Sequence, residues 1–291
     1  MSENVITHYL SQSGCVTIKV NFNEKEFNRN TSNAILEAHI EKGWAEKLAK
    51  NPKLWNGSKF RLAGTEIDGN TGETVLQLGL TGYRDLHFTN YNPPLENSSE
   101  PLKYEYLGNP LGVASLLITN DQKAIFLKRA SWLGENPNMF DVPGGHAEPD
   151  NVKDKILSNE NISQEIFNSQ LMEIVEETNT DINLIKSHKL HGIFGLPPSK
   201  RPVSYFITKV EKSAEDIIKA FNKSEEDSLA KEESSYLFYK DLHELEKFWR
   251  SEKKLCGNGV FAAGVYLYSV GRVSKQDFLK VAGESFSFSE K

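Results

Sequence analysis

Gln170-Leu171-Met172-Glu173-Ile174-Val175-Glu176-Glu177-Thr178 is the stretch on which the reading of this chain turns. On an α-helix, residues i, i+3 and i+4 share a face, so Glu173, Glu176 and Glu177 stack together and repel one another. A solvated acidic face usually interleaves Lys or Arg at i+4. Here Glu177 follows Glu173 by four, Asp181 follows Glu177 by four, and the nearest lysine downstream is Lys186. A hard divalent ion, Mg²⁺ or Mn²⁺, held by carboxylate and water oxygens, would offset that repulsion and could bind the phosphate oxygens of a substrate.

The pattern around the glutamates predicts the helix itself. Phe167, Leu171, Ile174, Val175 and Thr178 recur at helical spacing as an inward stripe, and Asn161 with Gln164 three residues on forms a capping box at its start. Upstream lies Phe140-Asp141-Val142-Pro143-Gly144-Gly145-His146-Ala147-Glu148-Pro149. Its paired glycines allow a sharp turn and a close backbone approach to a ligand, with amide N–H donors exposed.

A glycine turn followed by a helix carrying Glu-x-x-Glu-Glu resembles the Nudix hydrolases. Gly145, Glu173, Ile174, Glu176 and Glu177 match the family box. The interval between Gly145 and the helix is enlarged by the polar stretch 150–163. The count back to the first box glutamate lands on Gln164, with Glu165 one step off, Met172 stands where the box has arginine, and Asn179 replaces the closing glycine. Asn also accepts a left-handed backbone. Further motifs narrow the likeness: Lys59-Phe60-Arg61-Leu62, Leu78-Gly79-Leu80-Thr81-Gly82-Tyr83-Arg84-Asp85 with Thr89-Asn90, and Asn109-Pro110-Leu111-Gly112-Val113. Together with the box they resemble the atypical UDP-glucose and UDP-galactose diphosphatases, from about residue 50 to the end. That resemblance implies an α/β Nudix-type α/β/α sandwich with an N-terminal α+β extension. It also implies Mg²⁺-dependent hydrolysis of a nucleotide sugar to UMP and sugar 1-phosphate.

Composition bounds the alternatives. At 291 residues the chain can bury one large core or two modest ones, and its apolar and charged fractions are those of a globular protein. A formal charge of −6 argues against a nucleic-acid partner, since a phosphate backbone requires a basic face. Two cysteines, Cys15 and Cys256, and the absence of a secretory pattern at the N-terminus point to cytosol or nucleus. No apolar run reaches the length of a membrane span.

Strands are expected at 16–20, 60–67 and 74–80, the last two around an Asp-Gly-Asn-Thr-Gly turn, with a helix at 33–48. The turn-rich stretch 92–101 reads as a linker between an N-terminal subdomain, 1–105, and the Nudix domain, 106–291. Beyond it, strands are expected at 113–119, 124–129, 189–194 and 203–210, with helices at 214–221, 242–249 and a final one at 259–268.

Within this frame Glu173 and Glu177 are the candidate metal ligands. Glu176 is either a third ligand or the group that orients water, and Glu165 is a lesser contributor. Gly144, Gly145 and His146 are candidate substrate contacts; His146 either meets phosphate or braces the turn. Arg84 could clamp a diphosphate in bidentate fashion while Tyr83 meets the nucleotide, or both could belong to strand-end packing. Phe60 and Arg61 carry the same two readings, while Lys128 and Arg129 at the end of a strand could supply phosphate contacts or form a solvated strand end. The acidic run 225–233 could supply a distal base, and His188 and His191 read as structural. Two rivals stand beside the UDP-sugar reading: hydrolysis of another nucleoside diphosphate derivative, and a silent UDP-sugar-binding module.

Overall fold

The structure, a computed structural model, describes residues 9–10, 15–93, 102–133, 136–196, 199, 201–224 and 234–282. Strands are β1 Tyr9–Leu10, β2 Ile18–Phe22, β3 Ser58–Ile67, β4 Thr74–Gly82, β5 Gly112–Ile118, β6 Lys123–Arg129, β7 Phe140–Asp141, β8 Gly144–His146, β9 Ile185–Leu196, β10 Arg201–Val210 and β11 Ser234–Asp241. The main helices are α1 Ala34–Lys50, α2 Asn159–Thr178, α3 Ala214–Lys223, α4 Leu245–Ser251, α5 Gly257–Ser269 and α6 Lys275–Ala282.

The large sheet runs β1-β9-β10-β5-β6-β11, with β7 beside β6 and β8 beside β5. Its centre is the parallel β5–β10 pair, flanked by antiparallel neighbours. Every residue of β5 is buried, as expected of a strand covered on both faces. Alternation sorts them. Ala114, Leu116 and Ile118 join Phe126, Tyr205, Trp249, Phe261 and Phe278 beneath α4, α5 and α6. Val113 packs in the cluster of Ile162 and Ile166, and Leu117 in that of Ile174, both under α2. The result is a helix–sheet–helix sandwich.

A second sheet, β2-β4-β3, combines a parallel pair with the anticipated hairpin. The hairpin turn is held by Asp68 Oδ1, which accepts from Asn70 N at 2.8 Å, and Gly72 takes φ +71, a left-handed conformation that glycine adopts at no steric cost. Phe60, Leu62, Leu76 and Leu78 of this sheet share one cluster with Leu111, Val113, Ile162, Ile166 and Phe206. The boundary at 105/106 therefore does not interrupt the hydrophobic interior.

Several expected elements differ in detail. Helix α2 begins earlier than the Asn161 capping box: its N-cap is Ser158, which accepts from Asn161 N at 3.2 Å. Its buried face carries Ile162, Ile166, Gln170, Ile174 and Thr178, whereas Phe167, Leu171 and Val175 are half-buried on its flank. The helix at 259–268 is not the last, because α6 follows it, and β11 was absent from the expectation. The C-terminus of α2 behaves as anticipated: Asn179 sits at φ 53, ψ 37 and its N–H caps Val175 O. No helix among the described residues is long and apolar enough to cross a membrane.

Candidate active site

The glycine pair is extended, not turned. Gly144 and Gly145 lie in β8, antiparallel to β5, and neither has a positive φ. What they supply is space. A Cβ on Gly144 would sit 2.6 Å from Val113 O, and one on Gly145 would sit 1.8 Å from Glu173 Oε1. Helix α2 thus presses its glutamates onto bare backbone. Glu177, one turn beyond Glu173, is buried, and its Oε2 accepts the Gly144 N–H at 2.8 Å. Gln170, one turn before, donates to Pro143 O at 3.2 Å. Three successive turns of α2 are therefore docked along the Pro-Gly-Gly segment.

In front of Glu173 opens a cleft of about 830 Å³, lined on its floor by Gly144, Gly145, His146, Glu148 and Glu173. Lys59, Arg129 and Arg201 bring positive charge to it, and Lys47 stands at its edge with Tyr83, His87 and Tyr91. Asp141 also faces the cleft. Burial raises its carboxyl above the ordinary range, opposed by Arg129, whose Nη1 lies 3.6 Å from Asp141 Oδ2, and by a hydrogen bond from the Cys256 thiol. Gly257 and Asn258 open α5 onto the same space, so the positive end of that helix dipole points at it.

The N-terminal part supplies one wall. After Gly82 the chain turns helically through 83–91, its second part a π-helical segment, Leu86–Tyr91. Tyr83 and His87, four apart, turn one face to the cleft. The segment is pinned from behind: Thr89 Oγ1 accepts Gly108 N at 2.7 Å, and Asn90 Nδ2 donates to Asn109 Oδ1 at 2.8 Å and to Ser199 O at 3.1 Å. Thr89 and Asn90 thus act as rivets between the two sheets.

Some anticipated contacts lie elsewhere. Phe60 is fully buried in the shared core, so it is not a substrate contact. Arg61 is buried beside it and donates to the carbonyls of Leu107, Phe27 and Tyr104. Arg84 points off the other side of the helical segment, to Glu41 Oε1 at 2.9 Å, because adjacent helical residues diverge. Lys128 does not reach the cleft either: successive strand residues face opposite ways, and its Nζ lies 5.4 Å over the Tyr236 ring while Arg129 turns inward. Glu165 is buried and accepts from Ser169 Oγ at 2.6 Å; burial raises its carboxyl, with Glu148 adding to the effect. Glu176 is half-buried on α2 and does not line the cleft. The run 225–233 lies outside the described residues.

His146 takes the bracing role. Its Nε2 accepts from Arg201 Nη1 at 2.8 Å, which fixes the imidazole as the neutral form carrying its proton on Nδ1. Burial, with Arg201 and Lys59 nearby, holds it well below the ordinary histidine range. Lys59 in turn pairs with Glu148. His188 stacks on Phe206 at 4.5 Å, and His191 is buried.

No three His, Cys, Asp or Glu side chains among the described residues gather closely enough to cage an ion. The donors nonetheless fit Mg²⁺, which keeps several waters and takes only one or two protein carboxylates together with substrate phosphate. Glu173 and Glu177, both seated on the Gly-Gly strand, are hard oxygen donors of that kind.

No protein-family model matches the chain. It is 31% identical over 249 residues to Nudix hydrolase 9 of Arabidopsis thaliana, covering 78% of this chain and 78% of that protein. It is 35% identical over 171 residues to the uridine diphosphate glucose pyrophosphatase NUDT22 of Bos taurus, covering 52% of this chain and 57% of that one. A solved NUDIX hydrolase from Alicyclobacillus acidocaldarius aligns at TM-score 0.37 and 11% identity over 58% of this chain and 94% of its own. With close to a third of its residues shared along most of the length of the Arabidopsis protein, the chain belongs to the Nudix hydrolase family.

Proposed function

We propose that this Nudix hydrolase cleaves the diphosphate of UDP-sugars, UDP-glucose and UDP-galactose, to UMP and the sugar 1-phosphate with Mg²⁺ (or Mn²⁺) as cofactor. The observation that carries the reading is the composition of one cleft, in which a carboxylate docked on a glycine strand faces cations and an aromatic wall. The likeness to the bovine uridine diphosphate glucose pyrophosphatase, over about half of either chain, supports the choice of nucleotide sugar.

Glu173 and Glu177 are the residues proposed to hold the ion, through Oε atoms on successive turns of α2. A divalent cation held there would neutralise phosphoryl charge and lower the pKa of bound water. The chain's own groups do the rest. Lys59 and Arg129 face the anionic oxygens, and α5 adds the positive end of its dipole. Tyr83 and His87 offer ring faces to a nucleobase, with Tyr91 beside them. Glu173, the α2 glutamate that lines the cleft, is the proposed acceptor of the proton of the attacking water.

Incubation of the full chain with UDP-glucose and with a panel of dinucleoside polyphosphates and nucleotide cofactors, with and without chelator, tests the reading. Mg²⁺-dependent release of UMP, faster from UDP-sugars than mononucleotide release from the rest of the panel, is expected. Tight UDP-glucose binding with no product would instead support a silent binding module.

A further inference from the structure

Arg201 was not singled out by any motif, yet it is the most buried cation of the cleft, 9% exposed at the first position of β10. Of its five side-chain N–H donors, one on Nη1 donates to His146 Nε2. Its buried Nε has no hydrogen-bond partner, and no carboxylate among the described residues lies within ion-pair distance of it. A guanidinium withdrawn from water with donors left over is costly unless an anion completes it. Histidine is an unusual choice to hold an arginine, since it offers one acceptor and no charge. It therefore fixes the direction of the fork without neutralising it.

We infer that Arg201 is the bidentate anchor for the diphosphate in this cleft, and that His146 is a positioning residue that acts through Arg201 and does not touch phosphate. The inference rests on the diphosphate reading of the cleft and adds the residue that grips the anion. The frame suits the role. Arg201 N donates to Ser199 Oγ at 3.3 Å, and Ser199 O is held by Asn90 from the opposite wall, so the anchor sits where the two sheets meet. Planar guanidinium geometry matches two phosphate oxygens in a way an ammonium does not.

The test is calorimetric titration of inorganic pyrophosphate into the full chain, with UDP-glucose hydrolysis followed in parallel. Arg201→Gln should weaken pyrophosphate binding at least ten-fold. Arg201→Lys, which keeps the buried charge and so guards against a simple folding defect, should also weaken it. His146→Phe should weaken it in the wild-type background, His146→Gln should restore most of the loss through its side-chain oxygen, and His146→Phe should add nothing once Arg201 is Gln. Wild-type affinity in both Arg201 variants, or an equal effect of His146→Phe with and without Arg201, would overturn the assignment. Failure of the wild-type chain to bind pyrophosphate would overturn it too. Arg201-dependent pyrophosphate binding without UMP release from UDP-glucose would uphold the anchor and sink the UDP-sugar reading alone.

Discussion

Glu173 Oε1 occupies the volume that a Cβ on Gly145 would claim, 1.8 Å from its ideal position. Sequence separation of 28 residues collapses to a steric contact, and the carboxylate owes its place in the cleft to an absent side chain. Because Gly145 has an ordinary extended backbone, alanine there is conformationally acceptable and acts only by displacing the carboxylate. Gly145→Ala should fold, with turnover reduced roughly 100-fold, the scale of a misplacement of about 1 Å. Steady-state rates beside a thermal melt check this; undiminished turnover would show that the carboxylate needs no such seat.

Glu177 has a different neighbour, the Gly144 N–H, and Glu177→Gln retains an oxygen to accept it. The variant should lose no more than about 1 kcal/mol of stability, the difference between a charge-assisted and a neutral hydrogen bond. Its turnover should nevertheless vanish. Chemical denaturation and product release, measured on one preparation, separate the two effects.

Lys128 and Arg129 are neighbours in sequence and opposites in space. Arg129→Gln should raise KM for UDP-glucose by about ten-fold, the scale of one charge-assisted contact. Lys128→Gln should leave KM unchanged and affect only the packing over Tyr236. Equal KM effects would mean that both reach the substrate.

Phe60→Ala removes a fully buried ring from the cluster that joins the two sheets. The expected cost is about 3–5 kcal/mol. Phe60→Leu, which keeps most of the volume, should leave KM untouched, and a raised KM in that variant would restore Phe60 as a substrate contact.

Burial holds His87, His188 and His191 at about 4, aided at His87 by Lys47 and at His191 by Lys189 and Lys209. All three folded values lie below the ordinary 6.5, so on acidification the unfolded chain takes up these protons first. Their contribution to stability is complete above pH 6.5 and is lost as pH falls from there towards about 4. Denaturant midpoints should drop across that window, and His188→Gln should flatten the decline. A midpoint independent of pH, or a slope unchanged in the variant, would contradict the burial of neutral imidazoles.

Local patterns carried much of the fold. The spacing of Ile174 and Thr178, the missing counter-charges around Glu173, the Asp68–Gly72 turn and the left-handed tolerance of Asn179 all express themselves within a few residues. What stayed hidden was set by contacts distant in sequence. Arg201 follows a Pro-Pro-Ser-Lys stretch with no recognisable motif, and the register of β10 on β5 together with that of β8 on β5 brings it to His146. Arg84 and Lys128 carry the right chemistry, but helical and strand geometry turn them away. Strand β11, Ser-Ser-Tyr-Leu-Phe-Tyr-Lys-Asp, alternates too weakly to stand out, its aromatic Phe238 being half-buried among Phe126, Phe140, Phe248 and Tyr236. Cys256 shows the same limit: nothing local predicts that its thiol donates to Asp141 at the cleft.

Hydrolysis of UDP-glucose by the full chain with Mg²⁺ in oxygen-18 water, its products weighed by mass spectrometry, addresses the central claim most directly. The account predicts UMP and glucose 1-phosphate with a single heavy oxygen on one of them, and no product from Glu173→Gln. Intact UDP-glucose with the wild-type chain, or equal product from the variant, would contradict it.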